Sequence, residues 1–197
     1  YFAPVSVRSG SRGEILLASG EPAAANPRTG RRVPAHPLGR PEAVGSSDAD
    51  ARVALADWMT APGNPYFARN LANRYWAHFL GRGLVEPVDD VRDTNPPSNP
   101  ELLDALAKTL VNARFDPRPL IRAITGSATY QRSSHPNETN AADEQNDSRA
   151  RLRRVEAEVL LDMVCQATGV PEKFDGVPAG ARAVGLWDSK VPHYFLR

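Results

Sequence analysis

Between residues 64 and 117 the chain sets an Asx residue directly before a proline four times, and three of these pairs, Asn64-Pro65, Asn99-Pro100 and Asp116-Pro117, open an apolar stripe. An Asx side chain accepts from the orphan N–H groups that open a helix. A proline in the first turn loses nothing there, because its missing N–H has no intrahelical acceptor. Apolar residues at helical spacing follow each of the three. Phe67, Leu71, Tyr75 and Phe79 make one stripe, which Gly81 stops; Leu103, Leu106, Ala107 and Leu110 make the next; Leu120, Ile121, Ile124 and Ala128 make a third. Ser98 and Glu101 add capping-box spacing to the second of these starts.

Two further helices are expected. Ser47-Ser-Asp-Ala-Asp50 supplies caps for Ala51, Leu55, Trp58 and Met59, with Pro62-Gly63 as the stop. A last helix is predicted over Arg149–Thr168, with Leu152, Val155, Val159, Met163 and Val164 facing inward and Cys165 in the core. Residues 84–99 and 133–148 read as long loops, the second with no large apolar side chain. Residues 1–47 hold six prolines and six glycines, which predicts an irregular arm. Within it only Glu14-Ile15-Leu16-Leu17-Ala18 suits a short strand. The expected architecture is therefore all-α: about five helices in a bundle with irregular Pro/Gly-rich arms at both ends, divided into an arm (1–47) and a helical domain (48–197).

Charge and motifs exclude several functions. The balance of 24 basic and 23 acidic side chains gives a net charge of +1, without the broad positive field that holds nucleic acid. No apolar run approaches the roughly 20 residues of a membrane span. The lone Cys165 cannot form an internal disulfide, and His36, His78, His135 and His193 are dispersed, so no metal site is expected. Neither a Gly-x-Ser-x-Gly elbow nor a glycine-rich phosphate loop occurs.

The densest polar and aromatic content lies on the second helix and the loop after it. Arg69, Asn73, Trp76 and Leu80 fall on one face beside the Phe67 stripe, and Arg74 and His78 form an i, i+4 pair. Asp89, Asp90 and Asp93 lie in the loop, within reach of Arg69 or Arg74. On one reading these carboxylates pair with the arginines, pin the loop and satisfy otherwise buried charge. On the other, Asp89 and Asp90 are a general acid/base pair beside His78, in a cleft lined by Arg69 and Asn73 that hydrolyses polysaccharide. Candidate binding residues are Arg69, Asn73, Arg74, Trp76 and Trp187. Trp187, in the coil Gly185–Lys190, would stack on a sugar or plug a groove in its own domain.

An ordered series of motifs also carries a family likeness. Asn64-Pro-Tyr-Phe-Ala-Arg69, Asn73-Arg-Tyr-Trp76, Phe79-Leu-Gly-Arg-Gly-Leu-Val-Glu-Pro-Val-Asp-Asp90, Asn95-Pro-Pro-Ser-Asn-Pro-Glu-Leu-Leu-Asp104, Tyr130-Gln-Arg-Ser-Ser134 and Ala157-Glu-Val-Leu-Leu-Asp162 run in sequence. From about Ala51 to its end the chain resembles the planctomycete-specific C-terminal domain of unknown function. The resemblance implies the C-terminal part of a large exported bacterial protein, extracytoplasmic, often with a planctomycete-type cytochrome c domain upstream. It implies no catalytic residue. Without a Cys-x-x-Cys-His motif, haem would belong to an upstream domain and this chain would hold no cofactor. Relatives continue past Tyr194-Phe-Leu-Arg197, which implies a truncated C-terminal end. The expected function is an interaction or accessory module whose partners are other domains of the same longer chain and carbohydrate.

Overall fold

The structure is a computed structural model that describes residues 1–10, 13–18, 20–39, 50–143, 146–186 and 193–196. The chain divides into two compact units, residues 1–150 and 151–197.

The first unit opens with strands, which corrects the all-α expectation: the protein is mixed α/β. β1 (Val5–Gly10) pairs antiparallel with β2 (Gly13–Ala18), Val5 opposite Ala18 and Gly10 opposite Gly13. β3 (Ala23–Ala25) pairs antiparallel with β4 (Arg32–Pro34). The glycines and prolines of this region are hairpin punctuation. Asn26 Oδ1 accepts from the N–H groups of Arg28 and Thr29 at 2.9 and 3.2 Å. Gly30, at φ 68°, then turns the chain back into β4. In the first hairpin Val7 faces Leu16 and Arg8 faces Ile15, so apolar side chains stand on both faces of the ribbon and remain exposed. The strand expected over Glu14–Ala18 is present as β2, and its partner β1 alternates Val5, Ser6, Val7 and Arg8.

Helices α1 (Ala51–Thr60), α2 (Phe67–Leu80), α3 (Pro100–Asn112) and α4 (Pro117–Thr125) complete this unit. Their starts follow the Asx signals. Asp50, Asn99 and Asp116 accept from the N–H groups of Arg52, Leu102 and Arg118 at 2.9–3.0 Å. Asn64 Oδ1 accepts from Tyr66 and Phe67 at 2.9 Å, so α2 begins two residues after its proline. The core joins Ala68, Ala72, Trp76 and Leu80 of α2 to Leu103, Leu106, Ala107 and Leu110 of α3 and to Leu120 and Ile124 of α4. Leu110, Leu120 and Ile124 are essentially inaccessible, and each such burial stabilises by roughly 1.5–3 kcal/mol. The α2 stripe is rotated from its predicted position. Leu71, Tyr75 and Phe79 are only partly buried, because small Ala68 and Ala72 sit on the face turned to the core.

The second unit holds α5 (Ala157–Thr168) and a 3₁₀ turn (Ala183–Gly185). The helix starts at Ala157 rather than Arg149, leaving Leu152 (84% exposed) and Val155 outside it. Met163 and Val164 are exposed too. The inward face instead carries Leu161, which packs with Phe174 and Ala183, and Cys165 lies at the edge of that cluster. The nearly buried Asp162 carboxylate fixes this choice: it accepts from the N–H groups of Ala183 (2.7 Å) and Val184 (3.2 Å) and lies 3.3 Å from Arg182 Nε.

Candidate functional site

The loop that joins α2 to α3 is built around one buried amide. Gly81, left-handed at φ 85°, ends α2 and returns its N–H to Ala77 O at 2.8 Å. The chain then folds back over the side chain of Asn73, which is fully buried. Asn73 Nδ2 donates to Val85 O (3.0 Å) and Val88 O (2.9 Å), and its Oδ1 accepts from Val85 N (3.0 Å). Gly83 passes so close that a Cβ there would lie 2.9 Å from Asn73 Oδ1. Asn95 closes the far end, donating from Nδ2 to Glu86 O and Asp90 O at 3.0 Å. Ser98 N reaches Leu84 O at 2.7 Å. The peptide bond Glu86–Pro87 is cis.

The charged candidates stand outside this frame. Arg74 Nη1 donates to both oxygens of Asp89 at 2.6 and 2.7 Å, with side chains 58% and 62% exposed. Asp90 pairs with Arg92 at 2.8 Å, a residue of its own loop. Arg69 turns to α3, its Nε 2.9 Å from Asp104 Oδ1. The Arg74–Asp89 pair lies at the surface, whereas the pairing reading expected it to neutralise buried charge; Asp90 and Arg69 are half-buried, each paired with a more exposed partner. His78 is exposed, its ring edge-on to Phe79 with centroids 5.1 Å apart. Trp76 is a core residue, and its buried indole N–H has no acceptor among the described residues. Trp187 lies outside the described residues. The predicted site thus separates into an inward pair, Asn73 and Trp76, and outward charges that do not converge.

What does form a concavity lies one turn away. A cleft of about 380 Å³ opens where the start of α2 meets residues 91–97, lined by Pro65, Tyr66, Arg69, Arg92, Asp93 and Pro97 among others. Of the described site candidates singled out by sequence, Arg69 borders it together with Asp93, the third of the loop carboxylates. Tyr66 and Arg92 were not singled out by sequence. The available signal was Tyr66 itself, an aromatic lodged in a helix-start motif outside the apolar stripe.

A second cavity, of about 430 Å³, belongs to the second unit and is lined by Asp162, Cys165, Glu172, Phe174 and Arg182 among others. Glu172 holds its carboxyl below the usual range, chiefly through the N–H of Lys173 (3.2 Å) and then the hydroxyl of Tyr194 (3.1 Å). The same contact raises the Tyr194 phenol. His193, nearly buried, accepts from Phe195 N at Nδ1 (3.2 Å), and its Nε2 lies 3.7 Å from Glu172 Oε2. Among the described residues no three His, Cys, Asp or Glu side chains gather as a metal site would require. Nor, among them, is any helix long and apolar enough to cross a membrane.

Fold and site together define a small mixed α/β protein whose central loop is locked onto a helical core by a buried asparagine. Residues 51–183 match the family described as PSD1, protein of unknown function (DUF1553), and the chain belongs to that family. The match runs from the first residue of α1 to the first residue of the 3₁₀ turn and leaves the two hairpins outside it. No curated protein and no solved structure matches the chain.

Proposed function

We propose that the chain is a non-catalytic interaction module of a larger extracytoplasmic bacterial protein of the planctomycete type, docking to other domains of that protein and binding carbohydrate. The observation that carries the non-catalytic reading is the fate of the loop carboxylates. Asp89 and Asp90 each hold a different guanidinium, Arg74 and Arg92, and neither lines either cavity described above. An acid/base pair works when two carboxyls share a site and their environments push their proton affinities apart. Two separate ion pairs do not provide that. The exported setting and an upstream domain bearing haem rest on the family resemblance, and this chain is proposed to carry no cofactor of its own.

The hydrolase reading and the module reading separate in one experiment. The chain and its Asp89→Asn and Asp90→Asn variants are incubated with soluble polysaccharides, and the remainder of the full-length protein is then presented in trans. The expected result is no release of reducing ends by any of the three proteins and saturable binding of the remainder. Release of reducing ends that Asp89→Asn or Asp90→Asn abolishes would overturn the module reading.

A further inference from the structure

We propose that the cleft between Tyr66 and residues 91–97 is a binding subsite for a neutral saccharide. The inference rests on the carbohydrate part of the reading above and gives it a place. The volume, about 380 Å³, falls near the lower end of the roughly 300–1,000 Å³ typical of small-ligand clefts. That space suits a sugar ring and is too small for a helix or a folded partner.

The lining is two-sided. Tyr66, 40% exposed, stands with Pro65, Pro96 and Pro97 as a rigid apolar wall. Such a wall matches the C–H face of a pyranose, which packs flat against aromatic and ring surfaces. Arg92 and Asp93 supply the opposite chemistry, an N–H fork and a carboxylate. Sugar hydroxyls both donate and accept, so one ring satisfies both. The walls are already in place: the prolines have fixed backbones, and the two hydrogen bonds of Asn95 clamp the strap that carries Arg92 and Asp93. A site held this way loses little freedom on binding.

Charge sets the ligand class. Arg69 already faces Asp104 and Arg92 already faces Asp90, so both guanidinium groups at the cleft have a carboxylate beside them. Asp93 adds a further negative charge. A phosphate or uronic acid would find no uncompensated positive charge, whereas a neutral polyol meets strong acceptors for its hydroxyl protons.

The test is an NMR titration of the whole chain with neutral gluco-, xylo- and manno-oligosaccharides and with an oligogalacturonate. Tyr66→Ala, Tyr66→Phe and Asp93→Asn are run in parallel, each checked for an unchanged urea midpoint. Expected are shifts at Tyr66 and residues 91–97 with at least one neutral sugar. Tyr66→Ala and Asp93→Asn should each weaken binding about tenfold or more, while Tyr66→Phe retains it. Binding by the parent chain that both weakening variants leave intact would overturn this site but not the carbohydrate reading. Preference for the acidic sugar would overturn the assigned ligand class. No binding of any sugar by the parent chain would overturn the site and the carbohydrate reading together.

Discussion

Asn73 and Asp89 show how differently two polar residues of one helix-and-loop unit contribute. Asn73 is sealed from solvent and satisfies two carbonyls and one N–H of the loop. Replacing it by alanine strands those groups in a dry interior, where each unpaired group costs about 1–3 kcal/mol. Asn73→Ala is therefore expected to lower the stability of the first unit by about 3 kcal/mol, read from the urea midpoint. Asp89 meets Arg74 with better geometry but in water, both side chains being more than half exposed. Exposed pairs of this kind contribute about 1 kcal/mol or less. Asp89→Ala should accordingly move the midpoint little, and a large loss there would contradict a surface role. Sequence spacing brought both residues to attention and could not rank them, since periodicity places Asn73 on the same helix face as Arg69 but does not say which part of that face the loop will cover.

At the level of elements, starts and stops were the most legible feature. Caps act through hydrogen bonds to N–H groups two or three residues away, so Asp50, Asn99 and Asp116 need no tertiary partner to mark a helix. Asp50 goes further, since hydrogen bonds from the Arg52 side chain and backbone hold its carboxyl below the usual range. The turn from α3 to α4 was not legible. There Arg114 and Phe115 adopt left-handed φ of 52° and 62°, and Phe115 N reaches back to Leu110 O at 2.8 Å. The position of Phe115 is held by packing, its ring centroid 5.4 Å from that of Phe67. Arg114 is exposed and has no such compensation. Arg114→Gly is expected to stabilise the first unit by about 0.5–1 kcal/mol, because glycine adopts this conformation without the Cβ clash. Thermal unfolding of the single variant checks it.

Across the whole molecule, each unit carries its own buried cluster, and the second unit carries its own pH dependence. The folded second unit favours the ionised form of Glu172, whose carboxyl sits below its ordinary value. The stability this adds is fully present above the ordinary carboxylate range and is lost as pH falls through the lowered folded value. The protection of Ala183 and of the α5 amides against hydrogen exchange, taken relative to the intrinsic rate at each pH, should therefore fall on acidification through and below that range. Glu172→Gln should flatten this part of the profile while leaving the amides of α3 unaffected. A pH response of α5 that the glutamine variant keeps in full would assign the effect to another group.

What could be read from the sequence alone acts over one or two turns of chain. It marked the opening of four helices, the stripe Leu103, Leu106, Ala107 and Leu110 that is buried in α3, and the membership signalled by the motifs from Asn64 to Asp162. Tertiary structure alone decided what depends on which surfaces meet. It rotated the buried face of α2 toward Ala68 and Ala72, and drew Asn73 inward as the anchor of the loop. In α5 it turned Leu161 inward and left Met163 and Val164 at the surface. It also paired the strand expected over Glu14–Ala18 with β1 and added a second hairpin to the Pro/Gly-rich opening. Helix signals are local hydrogen-bond and dihedral preferences, so residues a few positions apart reveal them. A strand gains its hydrogen bonds, and a core face its burial, from residues that only the fold brings near.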